Sequence, residues 1–340
     1  MNVLLVLHTD ENQHLVLPDV AKELNVLGVR SRTLWDVEAN LKHRLWTLGQ
    51  TTAVVSFLGL KKFKPGWATL WQQEQLTKIG EYEILCRAGI PTPKTKPLYQ
   101  DSEPDLSDFD EYVVVKPARG GCGAFARIMR RGKARWRPLE VDCIGSGVND
   151  ALIVQEYIHT GPWPTSYRVA TVFGEPIYAL RIMADRKRRP MEYVKERVDA
   201  HMFAGHSIVA SSKGCTMDAH VPDDVIDFAR RVHLAFPTIP LLGTDIVREE
   251  NTGTLYALEV NANGWTFHLA NKLKEEIQRD FGVDLYSQFG GPKAIARGIL
   301  NRLSWNSEGV HAALRLVEGV AAQDRFEESD NEHTAHTASR

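Results

Sequence analysis

Apolar positions near the start of the chain fall into short unbroken runs separated by one helically spaced stretch. Val3 to Leu7 is a five-residue apolar run, which predicts a short buried strand. A polar loop follows, and Pro18 opens PDVAKELNVLG; a proline near the start and Gly28 past the end mark a helix. VRSRTLW (Val29 to Trp35) predicts the next strand, completing a βαβ unit, and AVVSFLGL (Ala53 to Leu60) predicts a third. These elements predict a small α/β lobe over residues 1–75. From Trp71 the pattern turns helical as far as Gly89, and GIPTPKTKP, with its prolines, then reads as a linker.

Further on, Asp101 to Glu111 is an acidic surface connection. EYVVVK (Glu111 to Lys116) is a strand, PARGGCG follows it, and AFARIMR alternates as a second strand would. ALIVQEYI (Ala151 to Ile158) is another strand, leading into the loop HTGPWPTS. YRVATVFG and EPIYALRIMA predict a hairpin around Gly174-Glu175. PDDVIDFARRVHLAF predicts an amphipathic helix with Val225, Ile226, Ala229, Val232 and Leu234 as its apolar positions. GTDIVRE and TLYALEVNANG are two further strands joined at Glu250 to Gly253. Helical text runs from Leu269 to Ala322, and residues 323–340 read as a disordered polar tail. No internal repeat is present.

Composition narrows the classes. With 340 residues the chain has room for two or three lobes at about 150 residues each. Hydrophobic residues make up 43% and charged residues 25%, as in ordinary globular proteins. Lys+Arg 41 against Asp+Glu 43 argues against nucleic-acid coating. Cys86, Cys122, Cys143 and Cys215 form no CxxC pair, which predicts reduced thiols and a cytoplasmic protein. The N-terminal apolar run is too short for a signal peptide, and no run approaches the roughly 18 residues of a membrane span.

Two constellations carry candidate chemistry. Lys116 ends an apolar strand and precedes Gly120, Gly121 and Gly123; such a loop lets backbone N–H groups approach phosphate, with the lysine adding a point charge. The bland alternative is a β-turn beside a solvated lysine. Gly121, Gly123 and Ala126 match GxGxxA, but the following text alternates like a strand, against a dinucleotide fold, and GxxxxGK[ST] is absent. Asp245, Glu259 and Asn261 form the second set. Glu259 and Asn261 are two apart on one strand, so they share a face, and Asp245 lies on the strand joined to it. Three oxygen ligands so placed suit magnesium; the alternative is single acids paired locally.

Taken in order, TKIGEYEILCRAGIPTP, VVVKPARGGCG, VQEYI, GTDIV and LEVNANG resemble an ATP-grasp enzyme, of the type that ligates amino acids onto carboxylates, such as the ribosomal-protein glutamate ligases. The resemblance spans about Thr77 to Leu269. It implies an α/β fold of α+β lobes: a pre-grasp lobe over 1–75, a small ATP-grasp lobe over 76–155, a C-terminal ATP-grasp lobe over 156–322 and the tail. It implies ATP and Mg2+ (or Mn2+) as cofactors, with small-molecule or peptide carboxylate and amine substrates and a possible homo-oligomer. By position, Lys78 matches the first nucleotide-binding lysine and Lys116 the second. Gly120, Gly121 and Gly123 match the loop that closes over the triphosphate. Gln155, Glu156, Tyr157 and Ile158 match the hinge that reads adenine, with Arg168 and Arg181 as phosphate-facing arginines. Asp245, Glu259 and Asn261 match the metal ligands.

This implies an ADP-forming carboxylate–amine ligase; a peptide macrocyclase of the same superfamily and a non-catalytic ATP-binding regulator are the alternatives. Three stretches depart from the family pattern: HTGPWPTS has no acid to hold the ribose, His201 and His206 stand on the substrate side, and ANGWTFH replaces a proline-glycine turn. Outside the resemblance stand a basic stretch (Arg127, Arg130, Arg131, Lys133, Arg135 and Arg137 around Trp136), the cluster Arg186 to Arg189, and His8, Asp10, Asn12 and His14 after the first strand. The two basic stretches read as solvated faces before they read as sites for RNA or an acidic peptide, whereas the loop after the first strand reads equally as a substrate contact or as a plain polar loop.

Overall fold

Six consecutive buried residues make Asn2–Leu7 (β1) the centre of a parallel sheet. In this computed structural model, residues 2–36, 52–101, 103–118, 126–137, 152–187 and 215–304 are described. Helix α1 (Leu17–Val26) returns the chain to β2 (Arg30–Trp35), and β3 (Thr52–Val55) and β4 (Thr69–Trp71) complete the order β2-β1-β3-β4. Side chains alternate across a strand, so both faces of β1 must be covered. Val3, Leu5 and Leu7 join Val20 and Leu24 of α1, whereas Leu4 and Val6 pack with Leu34, Val54 and Phe63.

The next segment differs from the sequence expectation. Trp71 ends β4, and the helix α2 covers only Lys78–Arg87. Its start is set by Thr77, whose hydroxyl accepts from the Gly80 amide at 3.1 Å; this satisfies one donor that a helix start leaves open. The proline-rich linker contains a strand, β5 (Thr95–Leu98). Among the described residues it pairs only with β8 (Leu152–Glu156), and such an edge position tolerates Pro97. With β6 (Tyr112–Pro117) and β7 (Arg127–Arg130) the sheet order is β5-β8-β6-β7, all antiparallel. The expected strand Ala53 to Leu60 stops at Val55, because the Ser56 hydroxyl bonds the Leu58 carbonyl at 2.6 Å and closes a turn.

The third sheet is β11-β10-β9-β12-β13 and also antiparallel: β9 (Thr165–Val172), β10 (Glu175–Ala184), β11 (Cys215–Asp218), β12 (Leu241–Arg248) and β13 (Leu255–Asn261). Phe173 (φ 47°) and Gly174 (φ 86°) turn β9 into β10, as a two-residue hairpin with left-handed positions requires. One face packs on α3 (Asp223–Leu234) through Val169, Ala179, Leu242 and Phe228. Leu234, expected in this core, is 57% exposed: nine residues after Val225, it lies half a turn away from the apolar stripe. The other face shares one apolar cluster with the N-terminal sheet, α4 (Lys272–Phe281) and the helical residues 292–304. The expected single helical stretch from Leu269 is thus interrupted, at Gly282 (φ 71°). Gly264 marks where the two parts meet, since a Cβ there would lie 2.7 Å from the Phe57 carbonyl.

His233 is buried in α3, with Nδ1 2.6 Å from Thr171 Oγ1 and Nε2 2.9 Å from the Ile239 carbonyl. Burial pushes its pKa down to about 4, and Arg302 adds to this. The unfolded chain takes up the proton near pH 6.5, so stability is complete above that pH and falls as pH drops from about 6.5 to 4, by about 3 kcal/mol. Urea midpoints at pH 7 and pH 4.5 test this: the drop should be smaller in His233→Gln than in the wild type.

Candidate active site

Three neighbouring strands set a row of charges on one face. Arg168 on β9 stands opposite Asp245 on β12, which stands opposite Glu259 on β13; Asn261 lies opposite Gly243. Directly opposed residues share a face, so the register alone brings these groups together. Arg168 donates through Nε and Nη2 to the two oxygens of Asp245, at 2.7 Å each. Two other elements add lysines. Lys78, at the start of α2, places Nζ 2.6 Å from Glu259 Oε2, and Lys116 of β6 places its Nζ 3.7 Å from the same oxygen.

Little of these side chains reaches water; Lys116 is 12% and Asp245 8% exposed. Burial alone would raise the Glu259 pKa, but Lys78 and Lys116 hold it down at about 2, so Glu259 is a carboxylate. Burial also acts on the lysines: Lys116, 3.7 Å from Glu259, is pushed below the ordinary range, whereas the closer approach of Glu259 keeps Lys78 above it. Glu81, one turn into α2, accepts from the Val260 amide at 3.3 Å, and burial raises its pKa to about 7. Sequence reasoning passed over Glu81, although its i,i+3 spacing from Lys78 puts both on one side of the helix. Three cations beside two full carboxylates leave a positive excess, which attracts an anion.

The hinge residues are partly committed. Gln155 is buried, and its amide donates to Thr95 Oγ1 at 3.1 Å and to the Leu258 carbonyl at 3.4 Å, tying the two antiparallel sheets together. Glu156 faces Lys94 at 3.7 Å. The Tyr157 amide donates to the Tyr112 carbonyl, so what its backbone offers a base edge is its carbonyl. Ile158 follows directly.

Arg181 is not brought to this group. It neighbours Leu180, which pairs with Arg168, so it points to the opposite face, where it grips Asp218 at 2.6 Å. That register keeps Arg181 out of the row formed by Arg168, Asp245 and Glu259. Gly120, Gly121 and Gly123, like His201 and His206, lie outside the described residues, as do Cys122, Cys143 and the tail.

Several of the remaining candidates have partners within the protein. Arg130 faces Glu111 at 3.5 Å, Arg131 donates to the carbonyls of Ser107 and Phe109, and Arg135 faces Glu103 at 2.9 Å. Arg186 stacks on Trp163 at 5.7 Å. After β1, His8 bonds Ser56 Oγ at 2.9 Å, His14 stacks on Trp35 and Asn12 donates to the Ala270 carbonyl. Among the described residues, no three His, Cys, Asp or Glu side chains cluster as a metal site, and no helix is long and apolar enough to cross a membrane. Asp245 and Glu259 are two carboxylates in register, and Asn261, two residues beyond Glu259 on β13, adds the oxygen of its side-chain amide. This oxygen-rich set fits a hard cation that keeps part of its water shell.

A model of the ATP-grasp domain matches residues 77–264, and the chain belongs to the ATP-grasp family. Its mixed helices and sheets are an α+β fold. Solved structures similar to it include D-cycloserine synthetase DcsG (15% identity, TM-score 0.46), with 89% of this chain and 100% of that one covered. D-alanine–D-alanine ligase from Bacillus anthracis aligns at 14% identity and TM-score 0.48, covering 91% and 99%. The ATP-grasp ligase PsnB complexed with minimal precursor aligns at 15% and 0.46, covering 88% and 98%. No curated protein matches the sequence.

Proposed function

We propose that this protein is an ATP- and magnesium-dependent carboxylate–amine ligase acting on an amino acid or peptide, with release of ADP and phosphate. The observation that carries this reading is the convergence of Lys78, Lys116 and Arg168 on Glu259 and Asp245 from separate elements. In such a reaction a carboxylate attacks the γ-phosphate to give an acyl phosphate, which the amine then opens. Both first reactants are anions, so bringing them together needs fixed positive charge in a dry site. Lys78 and Lys116 supply that charge for the phosphates, and Arg168 holds Asp245 in a fixed orientation. Asp245, Glu259 and Asn261 would hold magnesium, which neutralises phosphate charge when bound. No protein nucleophile is required.

The test is ADP release from magnesium-ATP with pooled amino acids, dipeptides and acidic peptides, against Glu259→Ala as the blank. ADP above that blank with one pool supports a ligase. ATP binding without ADP from any pool would replace it with a non-catalytic binder. Lys116→Ala is expected to weaken ATP binding by about 1.5–3 kcal/mol, the range for a hydrogen bond to a charged group. Calorimetric titration reads this directly, and unchanged affinity would remove Lys116 from the site.

A further inference from the structure

A cavity of about 310 Å3 adjoins Lys78 at the end of β13, and its lining includes Glu74, Gln75, Glu81, Asn261 and Trp265. Neither Asp245 nor Arg168 lines it. Two of its side chains are carboxylates, while its lysine is already held at 2.6 Å by Glu259. The Glu74 carboxylate gives the part of the cavity away from Lys78 an attraction for a cation. Its volume is at the small end for ligand sites, about the size of one amino acid.

The lining is held in place. Glu74 accepts from Thr238 Oγ1 at 2.8 Å, and its own amide donates to the Ala262 carbonyl at 3.3 Å. Trp265 is 60% exposed, and its amide donates to Asn263 Oδ1 at 3.1 Å, which fixes the short turn that carries it. Glu74 and Trp265 line the same cavity, and an ammonium group is attracted both by a carboxylate and by an indole face. The buried, unpartnered Nδ2 of Asn261 supplies a donor for an oxygen of the same ligand.

We infer that this cavity receives the amine substrate, and that the substrate is a basic amino acid: its side-chain cation lies between Glu74 and Trp265 and its carboxylate meets Asn261 Nδ2. This rests on the ligase reading for the reaction, although not for the binding.

The experiment compares L-lysine with its uncharged near-isostere norleucine and with glutamate, in ADP release and in calorimetric titration with a non-hydrolysable ATP analogue present. Lysine should have a KM at least about tenfold below norleucine's. Glu74→Gln should raise the lysine KM and Kd about tenfold while leaving the KM for ATP unchanged. Trp265→Leu should raise them about twofold to fivefold. Norleucine or glutamate working as well as lysine would overturn the inference and leave the ligase standing. Lysine binding that is weakened by Glu74→Gln, without ADP from any amine, would uphold the cavity and sink the ligase. Absence of lysine binding to the wild type would overturn the inference.

Discussion

Glu259→Ala is expected to lower ADP release by at least about 10²–10³-fold, the effect of deleting one preorganised electrostatic group from a reacting centre. The geometry gives Glu259 two duties. Its carboxylate is the counter-ion 2.6 Å from Lys78 and 3.7 Å from Lys116, and it is also a candidate metal ligand. Without it, two lysines that are 14% and 12% exposed face one another unpaired. Removing one member of a buried ion pair costs about 3–5 kcal/mol, so the free variant should also unfold at lower urea. Adding ATP should raise the midpoints of variant and wild type alike, because a ligand that binds only the folded state stabilises it according to its affinity. ATP affinity should stay near the wild-type value, since adenine contacts and both lysines remain. Wild-type turnover in Glu259→Ala would remove it from the reaction, and an unchanged urea midpoint would contradict its role as counter-ion.

Arg168→Ala should be destabilising to a similar extent. Asp245 is 8% exposed, and each of its oxygens accepts from Arg168 at 2.7 Å. Truncating the arginine leaves a carboxylate in the middle of a five-stranded sheet with no cation on it, which costs about 3–5 kcal/mol. Arg168→Met with Asp245→Leu removes both charges and replaces them with apolar side chains, so it should unfold closer to the wild type than Arg168→Ala does. Urea unfolding of the three proteins tests the pair; a double variant as unstable as the single one would show that Arg168 acts by packing and not through Asp245. Both variants should lack ADP release: the single one because Asp245 is no longer oriented, the double one because the Asp245 carboxylate is gone.

Periodicity made much of the fold legible. The hairpin at Gly174, the α3 stripe of Val225, Ala229 and Val232, and the two strands that carry Asp245 and Glu259 follow from local spacing. Elements whose stability comes from distant partners were not legible in this way. β4 is three residues long and exists because β3 pairs with it in parallel. β5 was hidden by prolines that only an edge position tolerates, and α2 began seven residues later than the helical text because Thr77 caps it.

For the site, the sequence by itself determined the chemical inventory and its order: a lysine in helical text, a lysine before glycines, a hinge, and acids on two adjoining strands. The tertiary structure alone decided which of these meet. Lys78 and Glu259 are 181 residues apart and touch at 2.6 Å. Arg168 and Arg181 look alike as text, yet the pairing of Leu180 with Arg168 sends Arg181 to the far face and Asp218. Glu81 acquires its raised pKa, and the cavity beside it its acidic lining, only when α2 packs against β13. The physical reason is one of range. Hydrophobic period and capping act over a few residues and can be read along the chain, whereas strand register and the burial of charge depend on segments brought together from far apart.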